Sequence, residues 1–208
     1  MAPHSFLDAQ GRQALSDAVR AVEARSAAEV VVLVRERSGP YLHASVLAGA
    51  IAAYVALWFQ LFSPWEYSLL LIQIAPAVVG TAMGALVSRL PNVQRSLTPR
   101  RIREAYVGTA ARAAFHDGGI ADTRGRTGIH VYVSRLERSA EVVVDRGVRE
   151  AVDGPVWTRA TEAIRSAVRV GQPDAAVVAA AIASLGDVLA PVLPRAADDI
   201  NELSDEVA

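Results

Sequence analysis

Between Arg37 and Arg89 the chain carries a single formal charge, Glu66. No other feature restricts the fold so strongly. Two apolar runs, Leu42–Phe62 and Tyr67–Val87, flank Ser63-Pro64-Trp65-Glu66. At 1.5 Å per residue each run makes a helix of about 31 Å, the thickness of a bilayer's hydrocarbon core. The four residues between them read as a tight turn. Tyr41, Trp58, Trp65 and Tyr67 fall near the ends, where aromatic rings favour the interface. A soluble hairpin would need the rest of a 208-residue chain to cover both helices on all sides. The segment is therefore expected to be a transmembrane helical hairpin, residues 42–87.

The flanks set an orientation. Arg35 and Arg37 precede the first run; Arg89, Arg95, Arg100, Arg101 and Arg103 follow the second; the turn has no positive charge. By the positive-inside rule both ends face the cytoplasm and the turn faces outward, so the expected location is a bacterial inner membrane, multi-pass. The same arginines suit anionic headgroups, at about 1 kcal/mol each near the surface. Inside the helices no group carries a formal charge, Gln60 and Gln73 are polar, and Pro76 is a kink site. Such helices resemble an anchor more than a pore or transport path, which places charged groups at membrane depth. Gly80-Thr81-Ala82-Met83-Gly84 is a small-xxx-small pattern, and Gly49 and Ala53 repeat its spacing. These four residues are candidate packing positions, within the hairpin first and between copies second, the latter giving a homo-oligomer.

The sequence on either side alternates between helical and strand patterns. Leu7, Ala14, Leu15, Ala18 and Val22 mark one face of a helix over Phe6–Arg25. Glu29–Val34 is a short, continuous, β-branched run and reads as a buried strand. After the hairpin, Thr98-Pro99 starts a helix with Ile102, Tyr106, Ala110 and Ala113 on one face, ended by Gly118-Gly119. Gly128–Val133 and Ala140–Val144 are strands joined by a short polar loop, and Asp145-Arg146-Gly147 closes them as a turn. Trp157, Ala160, Thr161, Ile164 and Val168 give one further helical stripe; Val178, Ile182, Leu185 and Leu189 give another, ending before Pro191 and Pro194. The tail, 195–208, is acidic and reads as solvated. The expectation is an α/β fold: a small mixed sheet sandwiched by helices, built from residues 1–38 and 98–194, with the hairpin inserted after the first strand. A strand-helix-strand connection makes the first two strands parallel; the loop makes the second and third antiparallel.

Composition removes several chemistries. There is no cysteine, so disulfides and thiolate metal sites are excluded, and the net charge of −1 gives no argument for a nucleic-acid partner. No nucleophile elbow, phosphate loop or His-Glu-x-x-His is present, and no two histidines have metal-ligand spacing. Asp145, Asp122 and Asp153 lie in loops beside the second and third strands. Carboxylates converging at strand ends suit a divalent cation such as Ca or Mg. The competing reading is local turn and cap chemistry, which favours Asp at the same places. Arg146 beside Gly147 suits an anion or, equally, a surface ion pair. His130 is expected to be packed within its strand.

Taken together, Ala28-Glu29-Val30-Val31-Val32 after the early helix, the Gly128-Ile129 strand start, the strand pair through Val144, Asp145-Arg146-Gly147 and two terminal helices ending at Leu193-Pro194 resemble the TPM-domain family. Its plant member is a thylakoid acid phosphatase, and a bacterial branch is similar in carrying a transmembrane hairpin after the first strand. The resemblance covers Phe6 to Pro194 and implies an α/β sandwich. It also implies a metal-assisted phosphatase as one alternative. Many members, however, enter the second strand through Asp-Asn-Gly, where this chain has Arg126-Thr127-Gly128. Without that acidic group the expectation is a non-enzymatic interaction or regulatory module at the membrane, its partners the lipid bilayer and another protein.

Overall fold

A computed structural model describes residues 8–169, 174–195 and 203. The acidic tail expected over 195–208 lies almost wholly outside the described residues, as do Phe6 and Leu7. The chain divides into two compact units, one formed by 1–38 and 104–208, the other by 39–103.

The first unit is mixed α/β. Helix α1 (Ala9–Glu23) starts where the Asp8 carboxylate accepts the Gly11 N–H at 2.6 Å, which satisfies one of the amide donors a helix start leaves free. Strand β1 (Glu29–Arg35) follows. Strands β2 (Gly128–Ser134) and β3 (Ser139–Val144) complete a three-stranded sheet in the order β1-β2-β3. β1 and β2 are parallel, with Val31 opposite His130, and β2 and β3 are antiparallel, with His130 opposite Val143. The central strand is buried along its whole length, as a strand flanked on both edges and covered on both faces must be.

Two unequal cores form because strand side chains alternate faces. On one face Val30, Val32, Val34, Ile129, Val131, Val133 and Val142 pack with Leu15, Val19 and Val22 of α1. The same core takes Ile164 and Val168 of α7 (Gly154–Arg169), Val178 and Ile182 of α8 (Ala175–Ala183), and Leu185 and Leu189 of α9 (Leu185–Leu189). The other face is smaller. There Leu33 and Tyr132 meet Val107 and Ala111 of α5 (Arg100–Asp117). Helix α5 ends as expected at Gly118-Gly119, with Gly119 in the left-handed region at φ 65°.

Two elements depart from the sequence reading. Asp145-Arg146-Gly147 is not an isolated turn. Asp145 caps a short helix, α6 (Arg146–Ala151), which six residues and one buried side chain, Val148, did not announce. The single terminal stripe is two helices, α8 and α9, divided at Ser184. The periodicity of Val178, Ile182, Leu185 and Leu189 survives the division because all four enter one core.

The second unit holds the two apolar helices. Helix α2 spans Leu42–Phe62 as expected, whereas α3 spans Leu69–Ser88 and not Tyr67–Val87. The Ser68 hydroxyl accepts the Leu71 N–H and caps the helix, so Tyr67 belongs to the connection. A further helix, α4 (Pro91–Leu97), follows. The sequence reading treated this stretch as an arginine-rich flank, although Pro91 at the first helical position was a start signal. The unit boundary at Arg103 leaves α4 with the hairpin.

Candidate functional site

Helices α2 and α3 meet through the residues singled out for it. A Cβ at Gly49 would lie 2.7 Å from the Gly80 carbonyl oxygen. A Cβ at Gly80 would lie 2.8 Å from the Gly49 oxygen and 2.9 Å from the Ala53 Cβ. At Gly84 it would come to 3.2 Å of the Ser45 oxygen. The backbones approach too closely for any larger side chain, and that closeness gives the contact its dispersion energy. Gln60 donates from Nε2 to the Leu71 carbonyl at 3.2 Å, so this glutamine joins the two helices.

Away from this seam the helices are bare. Leu42, Tyr54, Phe62 and Leu69 are each at least 69% exposed, and Val46, Ile51, Val55, Trp58, Phe59, Leu70 and Val78 are all exposed. Only 11% of the most apolar window of either helix is buried. Both are long and apolar enough to cross a membrane. A soluble core helix hides such side chains, and a contiguous exposed apolar surface of this extent marks an interaction site. At the turn, Trp58 stacks near Phe62 and Phe59 near Trp65, with ring centroids 5.1 and 6.1 Å apart.

Of the three strand-end carboxylates, Asp145 has the local partners. Asp145 accepts the Arg146 N–H at 2.6 Å, and its other oxygen lies 3.9 Å from Arg126 Nη1. Arg126 in turn donates to the Ala121 carbonyl at 2.9 Å. Asp122 ends a single 3-10 turn, Ile120–Asp122. The Asp153 carbonyl accepts the Trp157 N–H in the first turn of α7. Among the described residues no three acidic or histidine side chains form a group able to hold a metal ion. Asp145 and Asp153 thus stand where caps and helix starts use Asp. Arg146 pairs with Glu150 at 2.6 Å on the surface.

The loop before β2 is held by contacts the sequence did not advertise. A Cβ at Gly128 would fall 2.2 Å from the Ile120 oxygen, and one at Gly147 would fall 2.7 Å from the oxygens of Gly125 and Arg126. Gly147 also donates its N–H to the Arg126 carbonyl at 2.9 Å. Arg126 itself takes a left-handed conformation, φ 53°. Arg126, its side chain mostly exposed, thus closes the loop through its backbone and its bond to the Ala121 carbonyl. Glu137, buried in the β2–β3 loop, accepts from the Ser134 hydroxyl and from the Ser38 N–H, the latter at 2.9 Å. Neither residue was singled out in the sequence. That bond fixes the point where the chain leaves β1 for the hairpin.

His130 is enclosed as expected, 1% exposed, and neither ring nitrogen has a hydrogen bond of ordinary geometry, the Val31 backbone making only a marginal contact. Burial lowers its pKa to about 4, an effect partly offset by the backbone of Val31.

No protein-family profile matches the chain, and no curated protein matches it. Among solved structures it is similar to the NMR structure of the BA42 protein from the psychrophilic bacterium Bizionia argentinensis. That likeness covers 99% of this chain and 96% of the other, with a TM-score of 0.60 and 18% identity. At that identity it speaks for the fold alone.

Proposed function

We propose that this chain is an integral membrane protein of the TPM-like type. In this reading α2 and α3 cross the bilayer as a hairpin, and the α/β unit is an interaction or regulatory module tethered at the cytoplasmic face. One observation carries the proposal: two helices of membrane-spanning length expose nearly all their apolar side chains except along their mutual glycine seam. Lipid satisfies such a surface at little cost in polar groups, since the amides in the interior of a helix are bonded within it, Pro76 of α3 being the exception. Arginine flanks and an uncharged turn support the cytoplasmic placement. The close approaches at Gly128 and Gly147 support the family resemblance, because both glycines belong to the runs on which it rests. The Asp145 carboxylate takes the Arg146 amide and lies 3.9 Å from Arg126, which favours cap chemistry over a bound cation at that position.

The absence of native cysteine makes the test clean. Single cysteines at Ser63 in the turn and Ser139 at the start of β3 are placed in the full chain, expressed in bacterial cells, and exposed to a membrane-impermeant maleimide. Labelling of Ser63→Cys in intact cells, with Ser139→Cys labelled only after lysis, is the expected pattern. Recovery of the protein in the soluble fraction, or the reverse pattern, would defeat the anchor or its orientation respectively.

A further inference from the structure

Helix α4 has an unusual distribution of side chains. Gln94 is 4% exposed, while the apolar Leu90, Val93 and Leu97 are 42%, 37% and 39% exposed. The buried glutamine ties the helix to the base of the hairpin. Its Nε2 donates to Ser45 Oγ at 3.3 Å and to the Ser88 carbonyl at 3.2 Å. The next link is Thr98, whose hydroxyl donates to the Gln94 carbonyl at 2.8 Å and lies 3.0 Å from His43 Nε2. These bonds fix the rotation of α4 about its axis. At 3.6 residues per turn, Leu90, Val93 and Leu97 then share one arc, and Asn92, Arg95 and Ser96 fall on another.

The apolar arc continues onto the hairpin. Leu97 closes the lower end of an open groove whose walls are Ile51, Val55, Phe59, Val79 and Met83. From Ala48 to Phe59 that groove follows α2 for about 16 Å. In sequence, basic residues stand on either side of α4: Arg89, which caps the end of α3, and Arg101, and both side chains are exposed.

We propose that α4 is an interfacial helix that seats an anionic phospholipid. The phosphate lies against Arg89 and Arg101, and one acyl chain runs from Leu97 along the groove to Phe59. Two observations commit the site to lipid. The apolar arc joins the exposed groove on α2 and α3 through Leu97, and the exposed Arg89 directly follows the last turn of α3, where a spanning helix would leave the hydrocarbon. The charge complementarity selects anionic over zwitterionic lipid. A short amphipathic helix lying in the interface plane uses the same division of faces. This inference rests on the hairpin spanning the bilayer, and it adds a specific lipid site to that reading.

The test uses the full-length protein reconstituted in phosphatidylcholine vesicles with and without phosphatidylglycerol. Single cysteines at Val55, Val93, Ser96 and Leu97 carry an environment-sensitive fluorophore. Val55→Cys is the control for the anchor: if lipid-borne bromine does not quench it, the spanning hairpin itself fails. Given quenching there, the expected result is quenching at Val93→Cys and Leu97→Cys, with Ser96→Cys reached by aqueous iodide instead. Brominated phosphatidylglycerol should quench Leu97→Cys more than brominated phosphatidylcholine does. Replacing Arg89 and Arg101 by Gln should weaken that preference by roughly fivefold per arginine. Equal iodide access at Val93→Cys and Ser96→Cys would overturn the interfacial helix. Equal quenching by the two brominated lipids would overturn the headgroup site. Protection of Val93→Cys from both quenchers, with disulfide cross-linking between chains, would put a second copy on this face and overturn the lipid assignment.

Discussion

The α/β unit and the hairpin unit are made from the same apolar residues and treat them in opposite ways. In the first, Leu15, Ile129, Ile164, Ile182, Leu185 and Leu189 are fully enclosed. In the second, Leu42, Ile51, Val55, Leu69 and Leu70 stand exposed, and the enclosed positions of α2 and α3 are mostly small, Ala44, Ser45, Gly49 and Gly80, with Val87 near the end of α3. The α/β unit is held by removing large side chains from water. The hairpin is held by backbone contact, which large side chains would prevent. The contrast teaches that residue size at an interface reports the solvent for which that interface was built.

The sharpest test replaces isoleucine by alanine in each unit. Ile182→Ala in the α/β core should cost about 2–5 kcal/mol, because it deletes a fully buried side chain and leaves a cavity. Ile51→Ala, at an exposed site, should stay within about 0.5 kcal/mol. Denaturant midpoints of the full chain in the same bilayer mimetic compare the two. A large loss at Ile51 would mean that protein, and not lipid, covers α2.

Acid should act on the α/β unit through His130. His130 holds its neutral form because burial lowers its pKa to about 4, against 6.5 when exposed. Between those values the unfolded chain binds the proton and the folded one does not, so stability rises with pH there. The contribution is complete above about pH 6.5 and falls away toward pH 4. Its full size corresponds to roughly 3 kcal/mol. His130→Leu should flatten the pH dependence of the unfolding midpoint over this range; an unchanged slope would assign it to other groups.

Gly80→Val reverses the logic of the core substitution, since here added bulk does the damage. The first added atom would already lie 2.8 Å from a carbonyl oxygen. A loss of about 1–3 kcal/mol is expected. Cross-linking efficiency of a cysteine pair at Ser45 and Ala85 should fall with it. The smallest effect is expected at Arg138, held at φ 50° in the β2–β3 loop. Arg138→Gly relieves about 1 kcal/mol of left-handed strain and gives back much of it as unfolded-chain entropy. The thermal midpoint should rise by no more than a few degrees.

Much of this architecture was open to reading. Leu42–Phe62 was delimited to the residue because an uninterrupted apolar run has only one long element to become. The parallel and antiparallel pairings followed from what connects the strands. The candidate carboxylates were harder. Asp serves caps and cations alike, and only its neighbours decide; at Asp145 those are the Arg146 amide and Arg126. Helix α4 escaped because its stretch was weighed only for its arginines, as topology signals and headgroup ligands, which left Leu90, Val93 and Leu97 unweighed.

By itself, then, the sequence determined where the apolar helices run, which strands pair, and which small residues permit the helices to touch. Those are consequences of period, length and side-chain volume, all local properties of a chain. Only the tertiary structure decided that Gly49 faces Gly80, that Gln94 turns α4 until its apolar arc joins the hairpin surface, and that His130 lies where no proton is easily taken up. Each depends on groups far apart in the chain meeting within a few ångströms, and short-range hydrogen bonds, contact and desolvation act only at that distance.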